Sequence, residues 1–288
     1  MAIFVDKSSK VLVQGATGHQ GVFHIGEMKN FGTNVVAGVT PGKAGQKVHN
    51  VPIFDTVQDA VDETDANTSL ILVPARFAKD AVFEALDAGC KTVVTITENI
   101  PFHDAMEFVH YAKYKEAVLI GPNCPGIASP GKSKVGILPG SIFLKGNVGV
   151  ASRSGTLTYE IVNSLSEKNI GQSTCIGLGG DPIIGTTFID SLDAFEADKE
   201  TKAIVLVGEI GGTAEEDAAE HIKKHISKPV FAFIAGRTAP PGKRMGHAGA
   251  IIARGKGTAE SKIKAFEKAN VKVAKFPTDI ADLVEKHL

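Results

Sequence analysis

The sequence has few cysteines, few aromatic residues and no excess of charge of either sign. Its three cysteines, Cys90, Cys124 and Cys175, are too widely separated along the chain for a disulfide framework or for the paired ligands of a zinc site. Aromatic residues make up 6% of the 288 residues and tryptophan is absent, so stacking platforms for nucleic-acid bases are not expected. A formal net charge of -1 argues against a broad basic surface for nucleic acid.

Long apolar runs are missing as well. No segment approaches the ~18 unbroken apolar residues that a membrane helix needs. Asp6, Lys7 and Lys10 interrupt the first residues, so a secretory signal is not expected either. Because unpaired cysteines suit a reducing compartment, we expect a cytoplasmic protein.

Short apolar stretches alternate with stretches of helical period along the whole chain. This alternation is typical of parallel β-α-β units whose sheet is covered on both faces. The predicted strands cover residues 11–13, 34–39, 70–73, 92–96, 118–120, 148–152, 174–178, 203–207, 230–234 and 271–274. The predicted helices lie near residues 20–30, 56–64, 78–88, 104–115, 156–168, 186–196, 214–226, 258–269 and 278–287.

One segment interrupts the alternation. Residues 121–134, GPNCPGIASPGKSK, contain three prolines and three glycines and are predicted to be a linker or a rigid loop beside a ligand. The sequence therefore predicts two doubly wound α/β domains, residues 1–122 and 123–288. Ligands of such sheets bind beyond the carboxyl ends of the strands. In the second domain, Thr213 and Glu216 predict a capping box at the start of the helix near 214–226.

A glycine-rich loop follows the first predicted strand. VLVQGATGHQG places Gly15, Gly18 and Gly21 between that strand and a helix, where glycine lets the backbone approach phosphate oxygens. The spacing is G-x-x-G-x-x-G and differs from the G-x-G-x-x-G of dinucleotide enzymes, so tight packing alone remains an alternative. After the second strand, where an NAD enzyme carries an acidic residue, this chain has Lys43. A cation there favours a nucleotide with an additional phosphate, either NADP or coenzyme A.

Three features of the second half point to phosphoryl chemistry. SRSGTLTYE follows a strand and starts a helix, which gives either a small anion site or an ordinary N-cap. Glu209 ends another strand, and His247 lies in the loop GKRMGHAGAII. A neutral imidazole is a nucleophile near pH 7, and a carboxylate can fix its tautomer and stabilise the cation that forms. Together these features predict a transiently phosphorylated histidine.

With these motifs the chain resembles the α subunits of succinyl-CoA synthetases, which are succinate–CoA ligases. The resemblance runs essentially from end to end and rests on GATGHQG, AGVTPGKAG, TITENIP, GPNCPG, SRSGTLTYE, GLGGDP, GEIGGTAEE and GKRMGHAGAII in this order. It implies a Rossmann-like CoA-binding domain over residues 1–122 and a flavodoxin-like ligase domain over residues 123–288.

The resemblance also implies the site residues. CoA would be bound by Thr17, Gly18, His19, Gln20, Lys43, Ile96, Thr97 and Glu98. His247 would be the phosphorylated residue and Glu209 its partner. Ser154, Gly155 and Thr156 would cradle the phosphoryl group, and Tyr159 would lie near the substrate at the subunit boundary.

The implied reaction belongs to the tricarboxylic acid cycle. It is reversible: NTP, succinate and CoA give NDP, phosphate and succinyl-CoA through a phosphohistidine and succinyl phosphate. The chain has no Walker motif and no expected metal site, which fits a separate ATP-grasp β subunit that binds ATP or GTP with Mg²⁺, in an αβ or α2β2 assembly of the bacterial cytoplasm. His19, Arg237 and Arg254 are departures from the family pattern, and Cys124 lies either near the CoA thiol or buried and inert.

Three other functions remain open from the sequence. A malate–CoA ligase α subunit would use the same CoA and histidine machinery. An NADP-dependent oxidoreductase is disfavoured by the missing G-x-G-x-x-G. A CoA-sensing module without catalysis would need neither His247, nor Glu209, nor the SRSGT segment.

Overall fold

The computed structural model describes residues 2–240, 242–253 and 255–288. These residues form two compact units. The N-terminal unit comprises Phe4–Gly140 and Ile183–Gly185, and the C-terminal unit comprises Ser141–Pro182 and Thr186–Leu288 with Ala2 and Ile3. The division between the units thus lies after Gly140, later than the predicted domain boundary after residue 122.

The N-terminal unit is a twisted sheet with helices. Its strands are β1 (Val11–Gln14), β2 (Val35–Val39), β3 (Lys47–Val48), β4 (Val51–Phe54), β5 (Thr68–Ile71), β6 (Thr92–Thr95) and β7 (Val118–Ile120), followed by β8 (Gly126–Ser129) and β9 (Ser133–Gly136). Its helices are α1 (His19–Phe31), α2 (Val57–Thr64), α3 (Ala75–Asp87) and α4 (Phe102–Tyr114). The first seven strands are ordered β3-β4-β2-β1-β5-β6-β7, and every pair is parallel except β3 with β4.

This order is that of a Rossmann fold. Without the short β3, the strands run 3-2-1-4-5-6 in chain order, and the order reverses between β1 and β5. Every residue of β1, β5 and β6 is buried, as expected for parallel strands that are covered on both faces. The core between strands and helices is built from small and β-branched side chains such as Ala78, Val82 and Val93. The crevice for a ligand therefore opens beyond the carboxyl ends of β1 and β5.

The C-terminal unit is a second parallel sheet. Its strands are β10 (Lys145–Ser152), β11 (Gln172–Gly177), β12 (Ala203–Glu209), β13 (Val230–Ala235) and β14 (Lys272–Ala274). Its helices are α5 (Gly155–Glu167), α6 (Phe188–Ala197), α7 (Ala214–His225), α8 (Ala259–Lys268) and α9 (Asp279–Glu285). The strands are ordered β14-β13-β12-β10-β11 and pair in parallel. This is the flavodoxin-like order 2-1-3-4-5, which reverses between β10 and β12. The predicted α/β fold with a Rossmann-like and a flavodoxin-like sheet is confirmed.

The prediction for residues 121–134 was wrong. They contain most of an antiparallel hairpin, β8 and β9, in which Gly126 pairs with Gly136. A Cβ on Gly126 would lie 2.2 Å from the carbonyl oxygen of Val135, and the φ angles of the two glycines are +95° and +129°. The glycines therefore allow two strands to approach closely, where the sequence pattern indicated a linker.

The capping box predicted at α7 was also wrong. The Thr213 hydroxyl donates to the Asp217 carboxylate at 3.1 Å, and the Thr213 side chain caps no backbone N–H. The Glu216 carboxylate accepts a hydrogen bond from Lys262 Nζ at 3.1 Å. The Thr213 hydroxyl is thus bound by a side chain within the helix, and the Glu216 carboxylate by a side chain 46 positions away in the sequence. In the part of the chain that the structure describes, no helix combines the length and the apolar character needed to cross a bilayer.

Candidate functional site

The glycine loop after β1 packs tightly at two of its three glycines. A Cβ on Gly21 would lie 2.3 Å from the carbonyl oxygen of Gly15, and a Cβ on Gly15 would lie 2.8 Å from the carbonyl oxygen of Leu72. Gly18 is different, because it is exposed and an added Cβ would meet nothing closer than 3.4 Å. Tight packing therefore accounts for Gly15 and Gly21, and it leaves Gly18 at the open start of α1.

The start of α1 is suited to an anion. Gly18 is the N-cap and provides no side chain to cap the helix, and the first turn contains no acidic residue. The free N–H groups and the positive end of the helix dipole therefore face outward at His19 and Gln20, which are exposed. The backbone N–H of Thr17 donates a hydrogen bond of 3.3 Å to Thr40 Oγ1, which holds Thr17 in the loop. Such a helix start binds phosphate groups.

The remaining residues of the predicted CoA site also follow carboxyl ends of strands. Lys43 is exposed in the turn after β2, and its backbone N–H donates to the Asp55 carboxylate at 2.9 Å. After β6, the Thr97 hydroxyl donates to the Val73 carbonyl at 2.7 Å. Ile96 is half-buried and Glu98 is exposed. The predicted residues of this unit thus share one edge of its sheet.

Cys124 lies deeper in the same unit. It is 5% exposed, and its thiol donates to the Thr95 carbonyl at 3.4 Å. This position favours the buried alternative for that cysteine.

In the C-terminal unit, a short closed loop presents His247. The Met245 N–H donates to the Ala250 carbonyl at 2.9 Å, and the Ala250 N–H donates to the His247 carbonyl at 3.1 Å. The imidazole packs against the backbone of Gly180, where an added Cβ would lie 2.3 Å from the ring. Gly211 allows a second close approach, since a Cβ there would lie 1.9 Å from the carbonyl oxygen of Gly249.

His247 and Glu209 are in direct contact. Nδ1 of His247 lies 2.6 Å from Oε2 of Glu209, and the two side chains are 28% and 7% exposed. A carboxylate oxygen accepts from a ring N–H, so in the neutral imidazole Nδ1 carries the proton and Nε2 keeps its lone pair. This is the arrangement of an oriented nucleophile.

The surroundings of His247 act on its pKa in both directions. The hydrogen bond to Glu209 raises the pKa above that of an ordinary histidine, and burial of the ring lowers it. The negative charges of Glu209 and Asp181 add to the increase, whereas the positive charge of Arg153 opposes it. The charges of two carboxylates and one guanidinium therefore act on the pKa of the imidazole.

The N-terminus of α5 is a second helix start that is suited to an anion. Ser154 is its N-cap, with Oγ accepting the Leu157 N–H at 3.4 Å, and the first turn contains no acidic residue. The N-cap alternative left open by the sequence is thus present. Gly155 and Tyr159 are half-buried and Thr156 is exposed, so the first turn is open to a ligand.

Three buried charged residues around Glu209 were not predicted from the sequence. Arg153 directly follows β10 and is 7% exposed, and Glu215 and Lys262 are 0% exposed. The one signal in the sequence is a lone arginine between the serines of SRSG, directly after a buried strand.

Two departures from the family pattern were noted in this half of the chain. Arg237 donates to the Ala274 carbonyl at 2.6 Å, and Arg254 lies outside the described residues.

Comparisons with known proteins match both halves of the chain. A family model of a CoA binding domain matches residues 6–99, and a CoA-ligase model matches residues 151–272. The succinate–CoA ligase (ADP-forming) subunit alpha 2 of Archaeoglobus fulgidus is 60% identical over 288 residues, which are 100% of each chain. The succinate–CoA ligase (ADP-forming) subunit alpha of Aquifex aeolicus is 57% identical over 290 residues, covering 100% of this chain and 95% of the relative.

A solved structure has the same fold. It is an ATP citrate lyase mutant of Methanosaeta concilii in complex with (3S)-citryl-CoA, with a TM-score of 0.90 and 26% identity. The match covers 99% of this chain and 50% of the lyase chain, so this chain spans about half the length of that protein. The names of the two relatives support the predicted succinate–CoA ligase over the malate–CoA alternative. The chain belongs to the family of succinate–CoA ligase α subunits.

Proposed function

We propose that this chain is the subunit of a succinate–CoA ligase that binds CoA and carries a phosphoryl group on Nε2 of His247. The observation that carries the proposal is the 2.6 Å contact between Nδ1 of His247 and Glu209, which leaves Nε2 as the free nucleophile. The partner would be an ATP-grasp β subunit that binds ATP or GTP with Mg²⁺, in an αβ or α2β2 assembly in the cytoplasm.

Three transfers replace one difficult condensation. In the first, Nε2 of His247 attacks the terminal phosphorus of the nucleotide, the N–P bond forms, and the P–O bond to the leaving NDP breaks. The ring becomes cationic because Nδ1 keeps its proton. The buried Glu209 carboxylate, bonded to that proton, stabilises the cation.

The next two transfers regenerate the histidine. A carboxylate oxygen of succinate attacks the phosphorus, the N–P bond breaks, and its electron pair returns to Nε2. The thiol sulfur of CoA then attacks the carbonyl carbon of succinyl phosphate, the C–S bond forms, the C–O bond to the phosphate breaks, and inorganic phosphate leaves with the thiol proton. Tyr159, half-buried on α5, is proposed to lie near succinate.

The two helix starts would hold the anionic groups. The first turn of α5, with Ser154, Gly155 and Thr156, is proposed to receive the phosphoryl group of the histidine. The exposed start of α1, with Thr17, Gly18, His19 and Gln20, is proposed to bind the CoA phosphates, with Lys43 and the segment 96–98 beside them. In this proposal residues 1–122 provide CoA binding and residues 123–288 provide the ligase chemistry.

Labelling tests the proposal directly. The chain is co-purified with its β partner and incubated with γ-labelled ATP or GTP. We expect a protein-bound label that is labile to acid and stable to base, and that is lost on addition of succinate and CoA. Loss of the label with malate and CoA instead would assign the malate–CoA ligase alternative. An unlabelled wild type would contradict the proposal and favour the oxidoreductase or the CoA-sensing module.

A further inference from the structure

Buried charges of alternating sign extend from His247 into the C-terminal unit. Glu209 contacts the imidazole, and Arg153 Nε lies 3.6 Å from Glu209 Oε1. Arg153 Nη1 lies 3.8 Å from Glu215 Oε1, and Glu215 forms an ion pair with Lys262. Two cations and two carboxylates thus follow one another behind the histidine. A buried charge is costly unless it is paired, so each member depends on its neighbours.

Arg153 and Glu209 face each other through two atoms that form no hydrogen bond. Arg153 Nε and Glu209 Oε1 are both buried, and neither atom has a hydrogen-bond partner among the described residues. Their separation of 3.6 Å is an ion-pair distance, beyond a good hydrogen bond. The orientation of the Glu209 carboxylate therefore rests on His247 at one oxygen and on the charge of Arg153 at the other.

Backbone contacts place Arg153 where it can do this. Its N–H donates to the carbonyl of Val207, which lies on β12 two residues before Glu209, at 3.0 Å. This hydrogen bond fixes the end of β10 beside β12. A Cβ on Gly249 would lie 3.1 Å from Arg153 Nη2, so the guanidinium also packs against the loop that carries His247. Arg153 thus lies between the carboxylate and the histidine loop.

We propose that Arg153 is a positioning residue for phosphoryl transfer at His247: it holds Oε1 of Glu209 so that Oε2 stays bonded to Nδ1. This inference rests on the proposed function. The guanidinium has a second effect, because its positive charge disfavours a second positive charge on the imidazole. Glu209 and Asp181 favour that charge, and Arg153 opposes them. Loss of Arg153 would therefore keep the imidazole protonated to a higher pH, where it cannot attack phosphorus.

The test measures the pH dependence of phosphorylation in the complex with the β partner. Single-turnover labelling of His247 with γ-labelled ATP or GTP is followed for wild type, R153Q and R153K. For R153Q we expect labelling at pH 7 to slow by about 10–100-fold, the usual range for loss of an orienting partner, and the acidic limb of the profile to move to higher pH. R153K keeps the charge but has a single nitrogen, so we expect the wild-type limb with a lower plateau.

The outcomes separate the two proposals. An unlabelled wild type would overturn the proposed function itself. A labelled wild type together with an R153Q variant that has the same limb and plateau would overturn only the role of Arg153. If R153Q fails to assemble with its partner, the decision falls to R153K, for which a wild-type plateau would overturn the positioning role.

Discussion

The two crevices lie at equivalent places in their sheets, yet different chemical groups line them. In the N-terminal unit the strand order reverses at β1, and the groups presented there are exposed backbone N–H groups with Thr17, Gly18 and Lys43 around them. In the C-terminal unit it reverses at β10, and the groups there are buried side chains, Glu209 and Arg153, beneath one half-buried imidazole. A backbone site suffices to hold phosphate groups, whereas a single reactive nitrogen needs charges that water does not screen.

This difference predicts unequal sensitivity to substitution. A change behind His247 should remove a step of the reaction, because the orientation of one atom depends on a few fixed contacts. A change at the exposed crevice should weaken CoA binding by the modest amount that an exposed charge contributes. The variants below test that contrast, from the largest expected effect to the smallest.

Replacing Glu209 should have the largest effect. In E209Q the carboxylate that stabilises the phosphorylated ring is lost, and we expect labelling of His247 to slow by about 100-fold or more. Because Glu209 raises the pKa of His247, the acidic limb of the remaining activity should move to lower pH, opposite to R153Q. Single-turnover labelling across pH measures both. E160Q, an exposed carboxylate on α5, is the matched control and should behave as wild type.

Gly180 tests the position of the ring without altering any charge. In G180A the new methyl group would lie 2.3 Å from the imidazole, so the ring must move and the 2.6 Å contact with Glu209 must lengthen. We expect labelling to slow by roughly 10–100-fold while the pH limb moves toward lower pH. Labelling at the wild-type rate in an assembled G180A complex would show that the contact does not orient the nucleophile.

Lys43 should give the smallest effect. It is exposed, so K43A should raise the KM for CoA by about tenfold or less, and the increase should shrink at high salt. Labelling of His247 by the nucleotide should be unchanged, since CoA takes no part in that step. K47A removes a neighbouring exposed lysine from β3 and is the control. If the KM for CoA rises equally in K43A and K47A, Lys43 has no specific role in CoA binding.

Much of this architecture could be predicted from the sequence, because local patterns carry it. Alternating apolar and amphipathic stretches predicted both sheets, and the segments at the strand ends predicted His247, Glu209 and the glycine loop as neighbours of ligands. The close approach of Gly126 to Gly136 could not be predicted, since a glycine-rich stretch looks the same in a linker and in a tight hairpin.

The buried charges behind His247 could not be predicted either. Glu215 and Lys262 are 47 positions apart in the chain, and nothing in their local sequence distinguishes them from the solvated charges of an amphipathic helix. Their burial follows from how α7 and α8 pack in the C-terminal unit. The Glu216 side chain was assigned to a cap for the same reason, because its spacing from Thr213 fitted a local motif while its partner was Lys262.

The position of the phosphoryl group on the imidazole tests the central claim most directly. The labelled α subunit, prepared with its β partner and the nucleotide, is digested under basic conditions, and the phosphohistidine isomer is identified by ³¹P NMR against the two synthetic standards. Since Nδ1 is bonded to Glu209 at 2.6 Å, the account predicts phosphate on Nε2 of His247 and no label in H247N. Phosphate on Nδ1, or a label that persists in H247N, would contradict it.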